Sequence, residues 1–238
     1  MHAPARPFYL SASGPWFAGL LALAILTFWP TYVSLPPAAN HPYTHFHAAV
    51  ATLWVLMLIT QPLLMRSGRI RAHRTLGKVS WVLGPVFVVA ALLLAHHRIT
   101  TVPPDAYAMQ TFILWLQLSL VSVFALSWGL AMATRHRMAL HARFMVCTGL
   151  TLIDPVVIRL LLWIDGTPDW NYWWFTFGLT DLVLLLLIWL DRRTSSGRWV
   201  FPVMLMVFLL AQTPALFQLT GQDWWQAFAA WYAALPLT

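Results

Sequence analysis

Seven long apolar segments, separated by short polar loops, constrain this chain more than any other feature of its 238 residues. Apolar side chains make up 60% of the sequence, only 9% of residues are charged, and the mean hydropathy is +0.70. A soluble domain of this size cannot bury so much apolar surface. Helices satisfy their own backbone hydrogen bonds and can place that surface in lipid. The sequence therefore predicts an all-α fold, a polytopic membrane helical bundle.

Each apolar segment approaches or exceeds the ~20 residues that cross ~30 Å of hydrocarbon. We predict seven transmembrane helices in a single integral membrane domain, residues 1–238. After the seventh span, aromatic residues recur at helical spacing, which predicts a short amphipathic helix at about residues 222–234, on the outer surface of the membrane. The seven spans lie at about residues 14–34, 44–65, 76–97, 107–134, 140–164, 172–190 and 200–219.

Basic residues are concentrated in three loops, which follow the second, fourth and sixth predicted spans. Cytoplasmic loops of membrane proteins carry an excess of arginine and lysine. This pattern predicts a cytoplasmic N-terminus, an external C-terminus and multi-pass insertion in the membrane. The clusters are Arg66, Arg69, Arg71, Arg74 and Lys78, then Arg135, Arg137 and Arg143, then Arg192, Arg193 and Arg198.

The charged residues also exclude several functions. The chain has 14 basic and 7 acidic residues, and every acid is an aspartate. Without glutamate, neither the Glu-x-x-His di-iron motif nor the His-Glu-x-x-His zinc protease motif can form. A retinal Schiff base needs a lysine deep in a late helix. The only lysine, Lys78, lies near the start of the third predicted span, so a retinal-binding protein is excluded. Because the basic residues sit in short loops beside the spans, they indicate topology, and we expect no nucleic-acid partner.

Three ionisable residues inside the predicted spans form the candidate catalytic set: Asp154, Arg159 and Asp181. Ionisable groups in hydrocarbon are costly and often functional. Asp154 and Asp181 lie near the middle of consecutive antiparallel spans, and Arg159 is about 7.5 Å further along the fifth span. We expect the three side chains to converge. Two interpretations remain open, a structural ion pair and a proton-transfer or substrate-anchoring site.

The histidines form two layers, one toward each face of the membrane. The outer candidates for cofactor binding are His45, His47 and His96, and the inner candidates are His73 and His141. Imidazole binds metals and haem and titrates near neutral pH. We predict that His47 and His96 approach each other and hold a metal, because both lie near the outer ends of adjacent spans. The alternative is that each histidine is an interfacial polar side chain.

Part of the chain resembles an uncharacterised family of bacterial inner-membrane proteins, a domain of unknown function. The resemblance covers about residues 44–160. Its motifs here are His45-Phe46-His47, Trp54, Gln61-Pro62, His73-Arg74-Thr75-Leu76-Gly77, His141-Ala142-Arg143-Phe144-Met145 and Asp154-Pro155 with Arg159.

Histidines near both faces of a four-helix core are also similar to the di-haem cytochromes of the b type, which implies haem ligation. Seven spans with a cytoplasmic N-terminus resemble the zinc-binding progestin and adiponectin receptor family. The histidine pair that this family has in its last helix is absent here, since the seventh predicted span contains no histidine.

These observations leave three functions open. The first is a redox protein linked to haem or quinone, with an outward-facing histidine and aspartate site. The second is a metal-dependent membrane enzyme that uses His45, His47, His96 and the two aspartates. The third is a non-enzymatic accessory or assembly subunit, or a small transporter. The candidate cofactors are haem b and a transition metal, and the candidate partners are the lipid bilayer, a quinone and a larger membrane complex.

Overall fold

The computed structural model describes residues 12–166 and 170–238, without the side chains of residues 170 and 171. Within these residues the secondary structure is entirely helical and contains no strand, which confirms the predicted fold class. The longer helices are α1 (Ser13–Thr27), α2 (Pro42–Arg66), α3 (Ile70–Thr101), α4 (Tyr107–Ala133), α5 (Met138–Leu150), α6 (Ile153–Asp165), α7 (Trp170–Asp191), α8 (Val200–Leu216) and α9 (Asp223–Ala233).

Five of the described segments are long and apolar enough to cross a membrane, by length and composition. They are α2, α3, α4 with its preceding turn, α5 together with α6, and α7 from Tyr172. The helices α1 and α8 are also apolar, but they have only 15 and 17 residues. A 17-residue helix rises about 26 Å, less than the ~30 Å of hydrocarbon. The fold is compatible with an integral membrane protein, and a total of seven spans stays a prediction.

Three of the predicted spans differ clearly from the observed helices. In the first, the α-helix ends at Thr27, and a short π-helix at Trp29–Val33 follows it. The third helix begins at Ile70, six residues before the predicted start, so that Arg71, His73 and Arg74 are helical. Gly68, with a φ of 71°, turns the chain between α2 and α3, and no proline delays the next helix. A helix end that extends beyond the hydrocarbon can carry these charged side chains in the headgroup region.

The fifth predicted span is broken in the middle. The helix α5 ends at Leu150, and α6 begins at Ile153. Pro155 explains the position of the break, because its ring clashes with the carbonyl four residues earlier, at Thr151, and it has no N–H to donate. The break places Asp154 in the first turn of α6.

Side-chain contacts bring the three basic loops together at one end of the bundle, called the basic end below. Arg135, after α4, lies 5.4 Å from the ring of Trp81 near the start of α3. Phe144 of α5 packs edge-on against Trp199, just before α8, at 5.9 Å between ring centroids. The basic loops are therefore neighbours in space.

The helix α9 packs at the other end of the bundle, called the opposite end below. Trp225 donates its indole N–H to the backbone oxygen of Thr111 in α4, at 2.9 Å. Tyr232 donates to the backbone oxygen of Leu92 in α3, at 2.8 Å. Burial raises the pKa of Tyr232 to about 12, so at neutral pH it keeps the proton that it donates. The buried side of α9 consists of Trp225, Ala229 and Tyr232.

Candidate functional site

Asp154 is a buried carboxyl at the broken centre of the fifth span, with only 6% of its surface exposed. Thr180 of α7 donates its hydroxyl to Asp154 Oδ1 at 2.5 Å. No basic side chain of the described residues lies within 4 Å of the carboxyl. Asp154 is therefore held between α6 and α7 by a neutral hydrogen bond and without a countercharge from the described chain.

Asp181 follows Thr180 and belongs to the same polar cluster. It is close enough to Asp154 for the two carboxyls to interact electrostatically. Gln212 of α8 donates its amide N–H to Asp181 Oδ1 at 3.1 Å. The other amide atom of Gln212, Oε1, is buried and has no hydrogen-bond partner. The structure thus gathers two carboxyls, a hydroxyl and an amide from three helices.

A small cavity of about 10 Å³ opens beside this cluster. Asp154, Gln212 and Ser119 are its polar lining residues, and apolar side chains of α4, α7 and α8 form the rest of its wall. A volume of this size is close to what a single water molecule needs. A water there would have the several polar partners that buried waters require.

Sequence analysis did not select Gln212, although a glutamine within an apolar 17-residue helix is an unusual polar group. A search for every uncharged polar side chain within the spans would have found Gln212 and Thr180, but not their partners. Only the packing of α7 against α8 brings the amide of Gln212 to Asp181.

Arg159 does not join the two carboxyls, contrary to the expected convergence. Five residues separate it from Asp154, which corresponds to about 140° around a helix. Its guanidinium lies 4.2 Å from the ring of Phe28, and its Nη1 donates to the backbone oxygen of Pro155 at 3.1 Å. Asp154 thus faces α7, whereas Arg159 faces the end of α1.

His45 already uses both ring nitrogens. Its Nε2 lies 2.9 Å from the backbone oxygen of Pro37, and its Nδ1 lies 2.9 Å from the hydroxyl of Tyr32. Because a carbonyl can only accept, Nε2 carries the proton and Nδ1 accepts from Tyr32. In this arrangement the imidazole anchors the turn before α2 and offers no free nitrogen to a metal.

His47 and His96 contact different parts of the molecule. His47 packs against Phe87 with 5.6 Å between ring centroids, and its Nδ1 is buried without a partner. His96 lies 5.5 Å from the ring of Tyr232, and its Nδ1 is 2.6 Å from the hydroxyl of Thr238. No hydrogen bond or ring contact joins the two imidazoles.

The separation of His47 and His96 follows from helix geometry. Phe87 and His96 are nine residues apart on α3, which places them on opposite faces of that helix. The histidines that do meet at this end are His41 and His97, whose rings stack with 3.8 Å between centroids. The ring contact between these two helix ends thus joins His41 and His97, and the pairing of His47 with His96 at a metal stays a prediction.

At the basic end of the bundle, His73 and His141 are electrostatic neighbours. His141 Nδ1 donates to the backbone oxygen of Ala131 at 2.9 Å, which leaves its Nε2 as an acceptor. His73 Nδ1 is buried without a partner, and so are both amide atoms of Gln61. This region therefore combines two imidazoles with a buried amide that has no hydrogen bond.

Metal ligands do not cluster in the part of the chain that the structure describes. No group of three or more histidine, cysteine, aspartate or glutamate side chains is arranged to hold a metal ion there. The metal and haem assignments of the histidines therefore remain predictions from the sequence.

The basic end contains an ion pair that sequence analysis missed. Arg143 of α5 donates from Nε and Nη2 to the two carboxylate oxygens of Asp191, at 2.6 and 2.5 Å. Both side chains are completely buried. Arg143 also donates to the backbone oxygen of Ala139 and to the hydroxyl of Thr194. The sequence feature that could have indicated this ion pair is Asp191, an isolated acid directly before a basic loop.

Comparisons with known proteins give no match: no protein-family model fits this sequence, and no curated protein or solved structure is significantly similar to it.

Proposed function

We propose that this protein is an integral membrane protein that binds and releases a proton at Asp154 and Asp181, as part of proton-linked transport. The observation that carries the proposal is the pair of neighbouring carboxyls inside the bundle, of which Asp154 is buried and has no described basic side chain within 4 Å. Two carboxylates in one site repel each other, and a single shared proton removes that repulsion.

The hydrogen bonds of the cluster also leave a place for a proton. Thr180 and Gln212 each donate to one carboxyl, and the buried Oε1 of Gln212 still needs a donor. A protonated carboxyl, or a water in the adjacent cavity, supplies the missing O–H. An unsatisfied buried acceptor costs about 1–3 kcal/mol, so either a proton on the cluster or a water in the cavity is favourable.

The broken fifth span supports the release of the proton. Asp154 lies in the first turn of α6, where the backbone N–H groups and the helix dipole stabilise a negative charge. Discontinuous helices with exposed termini at mid-membrane depth are typical of ion and substrate sites in transporters. The cluster thus has groups that stabilise both protonation states, which a site with changing proton occupancy requires.

Infrared difference spectroscopy tests this proposal directly. The purified protein is titrated with acid, and the C=O stretch of protonated carboxyls is recorded. We expect Asp154→Asn and Asp181→Asn to remove a band that the unchanged protein shows, while Asp223→Asn, at the exposed start of α9, leaves it in place. An identical set of bands in all four proteins would refute the proposal. Proton flux into vesicles, lost in Asp154→Asn alone and Asp181→Asn alone, would then link binding to transport.

We propose further that the chain lies in a bacterial inner membrane with its N-terminus in the cytoplasm, because the basic loops favour that side. A cysteine introduced at Ser67, beside Gly68, should react with an impermeant reagent only from the cytoplasm. A cysteine at Asp105, beside Pro104, should react only from outside. The native Cys147 is buried and should stay silent. The reverse labelling pattern would invert the topology.

A redox function is the second candidate, and the unpaired amide of Gln61 near His73 favours it. Imidazole and amide N–H groups are suitable donors to the carbonyl oxygens of a quinone. Three measurements on the purified protein decide this candidate: its absorption spectrum, its iron content and the amount of quinone that can be extracted from it. A colourless preparation without iron or quinone would remove it. The metal-dependent enzyme and the accessory subunit of a larger complex stay predictions.

A further inference from the structure

Arg159 is a partly buried arginine inside a candidate span with no carboxylate of the described residues within 4 Å. Its sequence neighbour Asp154 faces another helix, and Asp169 lies outside the described residues. An arginine is effectively always charged, and a charge in hydrocarbon is costly unless it is paired. The described chain therefore leaves a positive charge at this depth without a negative partner.

A second arginine makes this region more positive. Arg98, in the last turn of α3, and His47 of α2 are the electrostatic neighbours of Arg159. Like charges gathered in a region of low dielectric repel each other more strongly than in water. Repulsion between the two guanidinium groups thus opposes the approach of α3 and α6, and a bound anion would remove that repulsion.

The guanidinium of Arg159 is also held with most of its donors free. Phe28 covers it at 4.2 Å, and the backbone oxygen of Pro155 takes a hydrogen bond from Nη1. A guanidinium has five N–H donors in a fixed planar fork, and the remaining donors have no hydrogen bond from the described residues. Nearby, Nδ1 of His47 is buried and unpaired. The region therefore presents unpaired guanidinium donors and positive charge, with an unpaired imidazole nitrogen nearby.

We propose that Arg159, Arg98 and His47 form a binding site for a phosphate group at the opposite end of the bundle. Arginine binds phosphate oxygens in bidentate geometry, and a phosphate offers enough oxygens for two guanidinium groups and an imidazole at once. The last turn of α3 places the site near the end of a candidate span. Its occupant is either a soluble phosphate or the phosphate of a lipid headgroup. This inference does not depend on the proton site.

Binding of two probes tests the site and separates the two sources. Equilibrium dialysis with radioactive inorganic phosphate measures binding of the soluble form to the full chain in neutral detergent. Native mass spectrometry with phosphatidylglycerol measures retention of the lipid form. We expect Arg159→Gln and Arg98→Gln each to weaken binding of the responsive probe at least tenfold. Arg159→Lys keeps the positive charge but loses the planar guanidinium. Its affinity for the probe should lie between that of the glutamine variants and that of the unchanged protein.

Arg192→Gln is the matched control. Arg192 also lies over an aromatic ring, 4.0 Å from Trp189, and also donates to a backbone oxygen of its own helix, at 2.6 Å. It lies at the basic end, so its removal should leave binding unchanged. A thermal unfolding curve for each variant identifies any loss of folding, and the more peripheral Arg98→Gln keeps the test valid if Arg159→Gln does not fold. Equal binding of both probes by all variants, or binding of neither by the unchanged protein, would overturn the proposal.

Discussion

The two halves of the broken fifth span each contain an arginine inside the bundle, and the two arginines have opposite surroundings. Arg143 of α5 is fully buried and forms a bidentate pair with Asp191 at the basic end. Arg159 of α6 has an aromatic ring, one backbone carbonyl and a second arginine as its neighbours. One arginine is neutralised by the described chain, and the other is not.

This difference separates a structural role from a binding role. A buried charge with a bidentate partner and further hydrogen bonds ties helices together but has no donor left for a ligand. A charge with free donors and no partner contributes little to packing and attracts an anion. Arginine in a transmembrane helix is therefore not evidence of one function, and its partners decide which role it has.

The largest expected effect is the loss of the pair at the basic end. Arg143→Leu or Asp191→Leu leaves a buried charge uncompensated, and we expect each to lower the free energy of unfolding by about 3–5 kcal/mol. The double variant should be less destabilised than the sum of the two single variants. Equilibrium unfolding in mixed micelles measures all three, and strict additivity would contradict a direct pair.

A smaller effect is expected at Gly197, which approaches Arg143. A Cβ atom there would lie 2.9 Å from Nη1 of Arg143, and the residue has a φ of 80°. Gly197→Ala should therefore combine backbone strain with displacement of the ion pair, about 2 kcal/mol in total. Gly166→Ala is the control, because Gly166 has a similar φ of 76° and no atom near the added methyl group. Equal losses in the two variants would mean that the contact with Arg143 has no effect.

Replacing Arg159 should affect stability less. Arg159→Leu removes one cation–π contact and one backbone hydrogen bond, and we expect a loss of about 1 kcal/mol. Because Asp154 and Arg159 face different helices, the combined variant Asp154→Asn with Arg159→Leu should be additive within about 0.5 kcal/mol. A larger coupling energy in the unfolding measurements would show that Arg159 interacts with the carboxyl cluster after all.

The smallest expected effect is a pH dependence at the opposite end, where α9 is attached by neutral hydrogen bonds. Burial raises the pKa of Tyr232 to about 12 from an ordinary value near 10. The folded state therefore holds this proton more tightly, and stability present below about pH 10 is lost as the pH rises toward about 12. Tyr232→Phe should reduce this alkaline loss by about 1 kcal/mol.

The helical class of this protein was predictable from the sequence, whereas the fifth span was predicted as one continuous helix and is broken in the structure. Apolar segments near 20 residues require helices in lipid, and Pro155 marks the carbonyl at which the fifth span breaks. Asp154 was equally visible as an ionisable residue inside a span, but the sequence predicted Arg159 as its neighbour, and only the structure showed it without a basic partner among the described residues. Helix ends were less accurate, as the early start of α3 at Ile70 shows, because charged residues can extend a helix past the hydrocarbon.

The sequence by itself determined which residues carry charge in the spans and, through 3.6 residues per turn, the angle between them on one helix. Only the tertiary structure decided their partners: Asp191 for Arg143, Thr180 for Asp154, Gln212 for Asp181 and Phe28 for Arg159. The physical reason is that every apolar face can pack equally well against lipid or against another helix. The choice among neighbours therefore depends on the packing of the whole bundle, which local sequence spacing does not encode.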